Sequence, residues 1–403
     1  AKFNSVNVGP LANTPGWSYT RADSQNAYAQ TSAGVLTPFA TGVLRRTDKG
    51  VLIEGAGTNL CLQSQTFDNA SWTKSRATVT ADAAVAPDGT TTADKLVEDS
   101  SATTTHRTQQ GVTKAASAIQ YTASVYVKAA ERTFAQLTLT DATEDDGAQV
   151  FINLSDGTLS TPAARVGAGG GFTSISATTA TLANGWYRVS LTATTDSDTT
   201  VRLWVHTATS LSNNSYTGDG TSGIYLWGAQ LEAASFPSSY IPTTTASATR
   251  AADVLSVTGV TGLPGPYSLF AQANLNNLAS GGNVFLGVSD GATNNGAAIY
   301  QTGGSYVVLN RSSASNDAVV VPAGTATTGA SLKLAGRIET NNINGRANGG
   351  ALGTTDTSCT AQNAASIQFG NADVNALPLW GYLERAAIFS RALTDAELQA
   401  VST

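Results

Sequence analysis

Charge is scarce in this chain. Only 12% of its 403 residues are Asp, Glu, Lys or Arg, and the net charge is −6. Hydroxyls and amides must therefore cover the surface. Arg45-Arg46 is an isolated basic pair, and no basic stripe runs along any segment. A nucleic acid needs clustered cations to neutralise its phosphates, so DNA and RNA are not expected partners. No run of about 18 apolar residues occurs, so no membrane insertion is expected. Methionine is absent and histidine occurs only at His106 and His206. Two cysteines, Cys61 and Cys359, lie far apart in the chain and belong to no Cys/His cluster. That excludes the usual zinc and haem patterns, and it reads as two buried thiols rather than a disulfide. The chain opens at Ala1 without a signal-peptide pattern, as expected of a protein that leaves its cell by lysis and equally of a processed secreted protein.

What is present is alternation. Hydrophobic residues make up 41%, too many for disorder, and they alternate with small polar residues rather than recurring at a helical period. Residues 1–58 are rich in glycine and proline, with short strand candidates and too little core to fold alone. They are expected to serve as an anchor that packs on a neighbour or a sister subunit. Residues 59–243 give nine strand candidates, at 77–81, 93–97, 121–128, 133–140, 149–153, 171–178, 186–195, 200–206 and 223–232, separated by Gly, Asn and Asp turns. In the third, Val125 and Val127 share one face and Tyr126 the other; in the seventh, Tyr187, Val189 and Leu191 share a face. Such a set suits a two-sheet jelly roll. The Pro- and Thr-rich stretch 237–249 reads as a stiff linker. Residues 244–403 give a second set of strands. At its end Thr394 and Glu397 have the spacing of a capping box before a short helix. The fold class expected is all-β: a jelly-roll sandwich and then a second β-sandwich, behind an irregular opening segment.

Several segments together resemble the tail- and head-fibre proteins of phages. They are Gly50-Val51-Leu52-Ile53-Glu54-Gly55-Ala56-Gly57-Thr58-Asn59-Leu60, Pro87-Asp88-Gly89-Thr90, Ala93-Asp94-Lys95-Leu96, Asn184-Gly185-Trp186-Tyr187-Arg188 and Tyr225-Leu226-Trp227-Gly228-Ala229-Gln230-Leu231-Glu232, continuing to Ser239-Tyr240-Ile241-Pro242-Thr243. The C-terminal stretch Gly381–Phe389 with Leu393-Thr394 is similar to the ending of concanavalin A or laminin-G type sandwiches. The whole layout resembles head spikes of gene transfer agents. The resemblance implies a surface adhesin on a virion or phage-like particle that binds host cell-surface polysaccharide. It also implies that residues 1–58 anchor the chain on other virion proteins, and that the chain is a homo-oligomer, a trimer by analogy with fibres. Two other readings stay open, a capsule depolymerase and a structural virion adaptor.

Sugar recognition uses an aromatic face for the C–H side of the ring and planar amides, carboxylates or Arg for its hydroxyls. Trp186 and Trp227 sit in strand motifs and read as core. Trp72, in a polar stretch, and Arg202, Trp204 and His206, on one face of a strand, are the candidates in the jelly roll. Asn310, Arg311, Arg337 and Trp380, at or near strand ends, are those of the second sandwich. Asp88, Asp94 and Glu232 are candidate ligands for a structural calcium; no other cofactor is expected, and Glu144-Asp145-Asp146 reads as a solvated turn. No catalytic residue is assigned. The second sandwich has no alternating carboxylate set of the glucanase kind. Tyr126-Val127-Lys128 matches only half of a lyase pattern, and no histidine is placed to activate a serine.

Overall fold

A computed structural model describes residues 17–23, 25–167, 171–291, 294–313, 315–373 and 377–403. The chain forms two compact units. One, the jelly-roll unit, holds Gly57–Arg250 and residues 25–40. The other, the C-terminal unit, holds Thr41–Ala56, Ala251–Thr403 and the described residues up to Asp23. All described strand pairs in both are antiparallel, and the one α-helix among the described residues is Asp395–Ser402.

The jelly-roll unit stacks two six-stranded sheets. In the first, the neighbours run Ala163–Arg165, Gly147–Asn153, Phe134–Thr140, Thr200–Ala208, Arg107–Thr113 and Thr73–Ser75. In the second they run Thr173–Thr181, Trp186–Thr194, Gln120–Ala129, Gly223–Glu232, Ala93–Glu98 and Ala77–Ala84. Period-2 alternation decides which side chains meet. Val125, Val127, Tyr187, Val189 and Leu191 enter the core between the sheets with Leu137, Leu139, Leu203 and Val205. Tyr126, Trp186 and Trp227 leave the second sheet on its other face. There they form a separate cluster with Tyr28, Leu36 and Tyr240. The hairpin Ala27–Gln30/Leu36–Phe39 supplies Tyr28 and Leu36 to that cluster.

The C-terminal unit is a second β-sandwich of two antiparallel sheets. Its seven-stranded sheet runs Trp17–Thr20, Val254–Leu263, Ala364–Phe369, Asn283–Ser289, Gly296–Thr302, Ser305–Ser312 and Ser315–Val321. Its six-stranded sheet runs Asn344–Ala347, Ser331–Ile338, Tyr267–Leu275, Gly381–Phe389, Gly50–Ile53 and Arg46–Thr47. The terminal helix is closed by the expected capping box: Glu397 N donates to Thr394 Oγ1 at 3.3 Å, and Thr394 N donates to Glu397 Oε2 at 2.8 Å.

The opening segment differs from its expected form. Its described residues are not a separate anchor but strands of both units, because a short strand that cannot build its own core can complete an existing sheet edge. Val51 and Ile53 bury fully in the C-terminal core, and Gly57–Asn59 pairs with Ala248–Arg250 in the jelly-roll unit. Residues 1–16, part of the expected anchor, lie outside the described residues. The stretch 237–249 likewise is no free tether. Tyr240, Ile241 and Thr243 are buried. Ile241 N donates to Gln230 Oε1 at 2.8 Å, Thr243 Oγ1 donates to Cys61 O at 2.6 Å, and the Tyr240 and Ser64 hydroxyls lie 2.7 Å apart. Here the Ser and Thr hydroxyls satisfy backbone groups rather than solvating a linker. Gly57 allows the close approach this needs, since a Cβ there would stand 2.6 Å from Ser238 Oγ. Both cysteines are free and buried, and burial pushes both thiols up.

Candidate functional site

The site grows from the Thr200–Ala208 strand of the first jelly-roll sheet. Val201, Leu203 and Val205 point into the core, so alternation sends Arg202, Trp204 and His206 to the outer face. Register brings their neighbours. Gly111, Gln109 and Arg107 lie opposite them on one side, and Thr140, Thr138 and Gln136 on the other. The outer face is thus almost wholly polar, and a layer of charged side chains lies over it.

Glu144 is the hub of that layer. It sits in the loop between Phe134–Thr140 and Gly147–Asn153, with a left-handed φ of 68°. Its Oε1 accepts from Arg202 Nη1 at 2.6 Å, and its Oε2 from Arg107 Nη2 at 3.2 Å. Its main-chain oxygen accepts from Arg165 at 3.1 Å. The Arg107 guanidinium also donates to Gln109 Oε1 at 2.8 Å. It lies 4.0 Å over the Trp204 ring, with Arg165 at 5.1 Å. Cation–π contact and partial burial explain the stacking. Burial, with Arg165 and Arg202 nearby, lowers the affinity of Arg107 for its proton. Two arginines thus share the Glu144 carboxylate, and a third holds its main-chain oxygen.

Beside the layer opens a cavity of about 370 Å³. Thr73, Thr113 and Thr200, the Gln109 amide and the Arg202–Glu144 pair line it. Gly111, opposite Arg202, contributes bare backbone to the lining. The arrangement offers donors and acceptors on rigid strands, fixed by their mutual bonds before any ligand arrives.

Trp204 is 3% exposed and His206 1%, so neither presents a free ring to solvent. Trp204 Nε1 and both His206 ring nitrogens are buried without a hydrogen-bond partner among the described residues, as are the hydroxyls of Thr138 and Thr140. Burial, then Arg107 and Arg165, depresses the His206 proton affinity well below its ordinary range. The folded protein therefore keeps His206 neutral while the unfolded chain protonates it below about pH 6.5. This contribution is fully present above that pH and is lost on acidification. His206→Phe is expected to flatten the fall in melting temperature between pH 7 and pH 5 relative to the parent. Parallel melting curves for the two proteins across that range would contradict this.

The remaining sequence candidates are placed differently. Trp72 is a core plug, not a platform. It is 1% exposed, its ring lies 4.7 Å from Phe67, and its Nε1 donates to Gln63 O at 3.0 Å. In the C-terminal unit, Asn310 is buried and donates to Thr360 O at 3.1 Å. Arg311, on the same seven-stranded sheet, donates to Asn316 at 2.8 Å. Arg337, on the six-stranded sheet, holds the start of the helix through Leu393 O at 3.1 Å and Asp395 at 2.9 Å. Trp380, half-buried, packs where Gly55 lacks a side chain: a Cβ there would lie 2.5 Å from its ring.

The calcium candidates Asp88, Asp94 and Glu232 do not converge. N–H and O–H donors already occupy each. Asp88 caps its own turn, accepting from Thr90 N at 3.0 Å. Asp94 accepts from Phe67 N at 2.6 Å and Asp82 N at 3.0 Å; burial pushes its carboxyl up to about 6 against those bonds. Glu232, also raised by burial, accepts from Ser238 N, Ser238 Oγ and Gln230 Nε2 at 2.8, 2.7 and 2.7 Å. They fasten the fold.

The chain matches no protein-family model and no curated protein. Among solved structures it is similar to the CBM40 of Ruminococcus gnavus IT-sialidase bound to α2,3-sialyllactose. Identity there is 18% and the TM-score 0.30, over 35% of this chain and 84% of that one. It is also similar to NanB sialidase of Streptococcus pneumoniae (17%, 0.30, 37% of this chain and 26% of that one). A third is the botulinum neurotoxin serotype D binding domain (13%, 0.29, 37% and 40%). Likenesses of this size leave the ligand of the present chain to be argued from its own residues.

Proposed function

We propose that this chain is a non-enzymatic adhesin of a phage or phage-like particle, which holds host cell-surface polysaccharide on the outer face of its jelly-roll unit. The observation that carries the binding reading is the cavity beside the Glu144 hub. There three threonines, Gln109 and Arg202 present alternating donors and acceptors at one open surface, the chemistry a sugar's hydroxyls require. Arg107 covers the Trp204 ring, so Arg202 and Gln109, not Trp204, are the side chains proposed to meet the glycan. Hydroxyls trade water for protein at little net gain, so each site is weak. An oligomeric particle would multiply it, raising avidity roughly 10²–10⁴-fold. The particle role rests on the sequence resemblance.

The test is to bind the full chain to host cells with and without their capsule, and to size the purified polysaccharide after incubation. Binding that needs capsule, with polymer length unchanged, is expected. Shortened polymer would replace this reading with a depolymerase. Equal binding to both cell types, or none to either, would favour a structural adaptor.

A further inference from the structure

We propose that Asp141, Asp196 and Asp198 bind a calcium ion at one end of the jelly-roll unit. Asp141 begins the loop after Phe134–Thr140, and Asp196 and Asp198 lie in the loop before Thr200–Ala208. Those two strands are neighbours, with Thr140 opposite Arg202, so the sheet brings the loops together. One carboxylate oxygen from each Asp lies within 4.8 Å of the others.

Proximity of acids alone means little, since exposed carboxylates crowd in many loops. The independent observation is Asp141. It is 3% exposed, and its Oδ1 is buried without a hydrogen-bond partner among the described residues, although its Oδ2 accepts from Thr143 Oγ1. A bare, buried carboxylate oxygen beside two more carboxylates calls for a cation. The protein supplies none. Among the described residues no Lys, Arg or His pairs with any of the three. The nearby Lys114 ammonium is spent on the main-chain oxygens of Ala115, Ser117 and Asp196, at 3.3, 3.0 and 2.9 Å.

The donor set selects the metal. Three hard oxygens without nitrogen or sulfur exclude the zinc pattern. Oxygens up to 4.8 Å apart on two loops suit bonds of about 2.3–2.6 Å better than the compact octahedron of magnesium, at about 2.1 Å. Carbonyls and water would complete the shell. The consequence reaches the glycan site, because the Asp141 loop also carries Glu144. A bound calcium would pin the residue that holds Arg107, Arg165 and Arg202.

The experiment is calorimetric titration of calcium, and separately of magnesium, into the EDTA-treated full chain, with thermal melts in parallel. One calcium per chain is expected, with a rise in melting temperature of about 5–10 °C at a hundredfold excess over Kd. Asp141→Asn should weaken calcium binding at least tenfold yet melt no lower than the parent in EDTA, since it removes a like charge. If that variant does not fold, Asp198→Asn, at a half-buried position, reads the same loss. No heat and no melting shift up to about 10 mM calcium, an excess even for weak extracellular sites, would overturn the proposal. So would parent-like binding by the folded variants, or equal affinity for magnesium.

Discussion

Arg45→Ala is expected to destabilise the C-terminal unit by about 3–5 kcal/mol, the usual cost of removing one member of a buried ion pair. Its melting temperature should fall on the order of 10 °C. Arg45 is fully buried between Glu54, at 2.8 Å, and Asp253. Both carboxylates are themselves buried and interlocked, since Glu54 N donates to Asp253 Oδ2 at 2.9 Å. Tyr19 adds a bond to Asp253 Oδ1 at 2.6 Å, and Arg21 donates to the Tyr19 hydroxyl at 3.0 Å and to Asp23 at 2.6 Å. Asp253 and Glu54 hold the guanidinium charged despite its burial. Truncating Arg45 leaves Glu54 in the interior without its cation and Asp253 with only Arg21, at 3.9 Å. The cost comes from those stranded charges rather than from lost attraction. Arg45→Met combined with Glu54→Gln and Asp253→Asn should therefore recover part of the loss. Thermal and urea melts of the single and triple variants decide it. A single variant that melts with the parent would show that the network does not support the unit.

Trp227→Ala should cost the jelly-roll unit about 3–5 kcal/mol, as large buried aromatics do on truncation. Trp227 is fully buried, with Tyr240 at 4.6 Å, Tyr126 at 5.3 Å and Tyr28 at 6.1 Å between ring centroids, and its Nε1 donates to Thr92 Oγ1 at 3.0 Å. Its cluster covers the face of the second sheet, whereas the proposed site belongs to the first. Below its lowered melting temperature the variant should bind glycan as the parent does. Lost stability with retained binding assigns Trp227 to the fold; retained stability with lost binding would assign it to the ligand.

The sheets were legible in the sequence because their inward residues are apolar at every second position. The run Gln120–Ala129 and the run Trp186–Thr194 follow that rule, and their strands emerge within a residue of where alternation places them. Arg107–Thr113 was not legible. Its core-facing residues are Thr108, Gln110 and Val112, so hydrophobic periodicity is missing. Gln110 manages burial by bonding both ways to Leu62, accepting from its N at 2.6 Å and donating to its O at 3.0 Å.

That hidden strand carries half of the candidate site, Arg107, Gln109 and Gly111. Alternation did place Arg202, Trp204 and His206 together, because those three share one strand. Their partners come from cross-strand register and from a loop, which no local pattern encodes. Glu144 looked like part of a solvated acidic turn for the same reason. Its role appears only when three arginines from three other segments converge on it. Asp88, Asp94 and Glu232 are engaged by nearby N–H and O–H groups, and no spacing in the sequence reveals those partners.

The most direct measurement is the affinity of the full chain for host polysaccharide, parent against Arg202→Ala and Gln109→Ala, with melts alongside. Both side chains are only half-buried, so both variants should melt within a few degrees of the parent. The account predicts at least a tenfold loss of binding for Arg202→Ala, in line with the roughly 1–3 kcal/mol of a charged hydrogen-bonding group, and a smaller loss for Gln109→Ala. Two folded variants that bind the polysaccharide with the parent's affinity would contradict it.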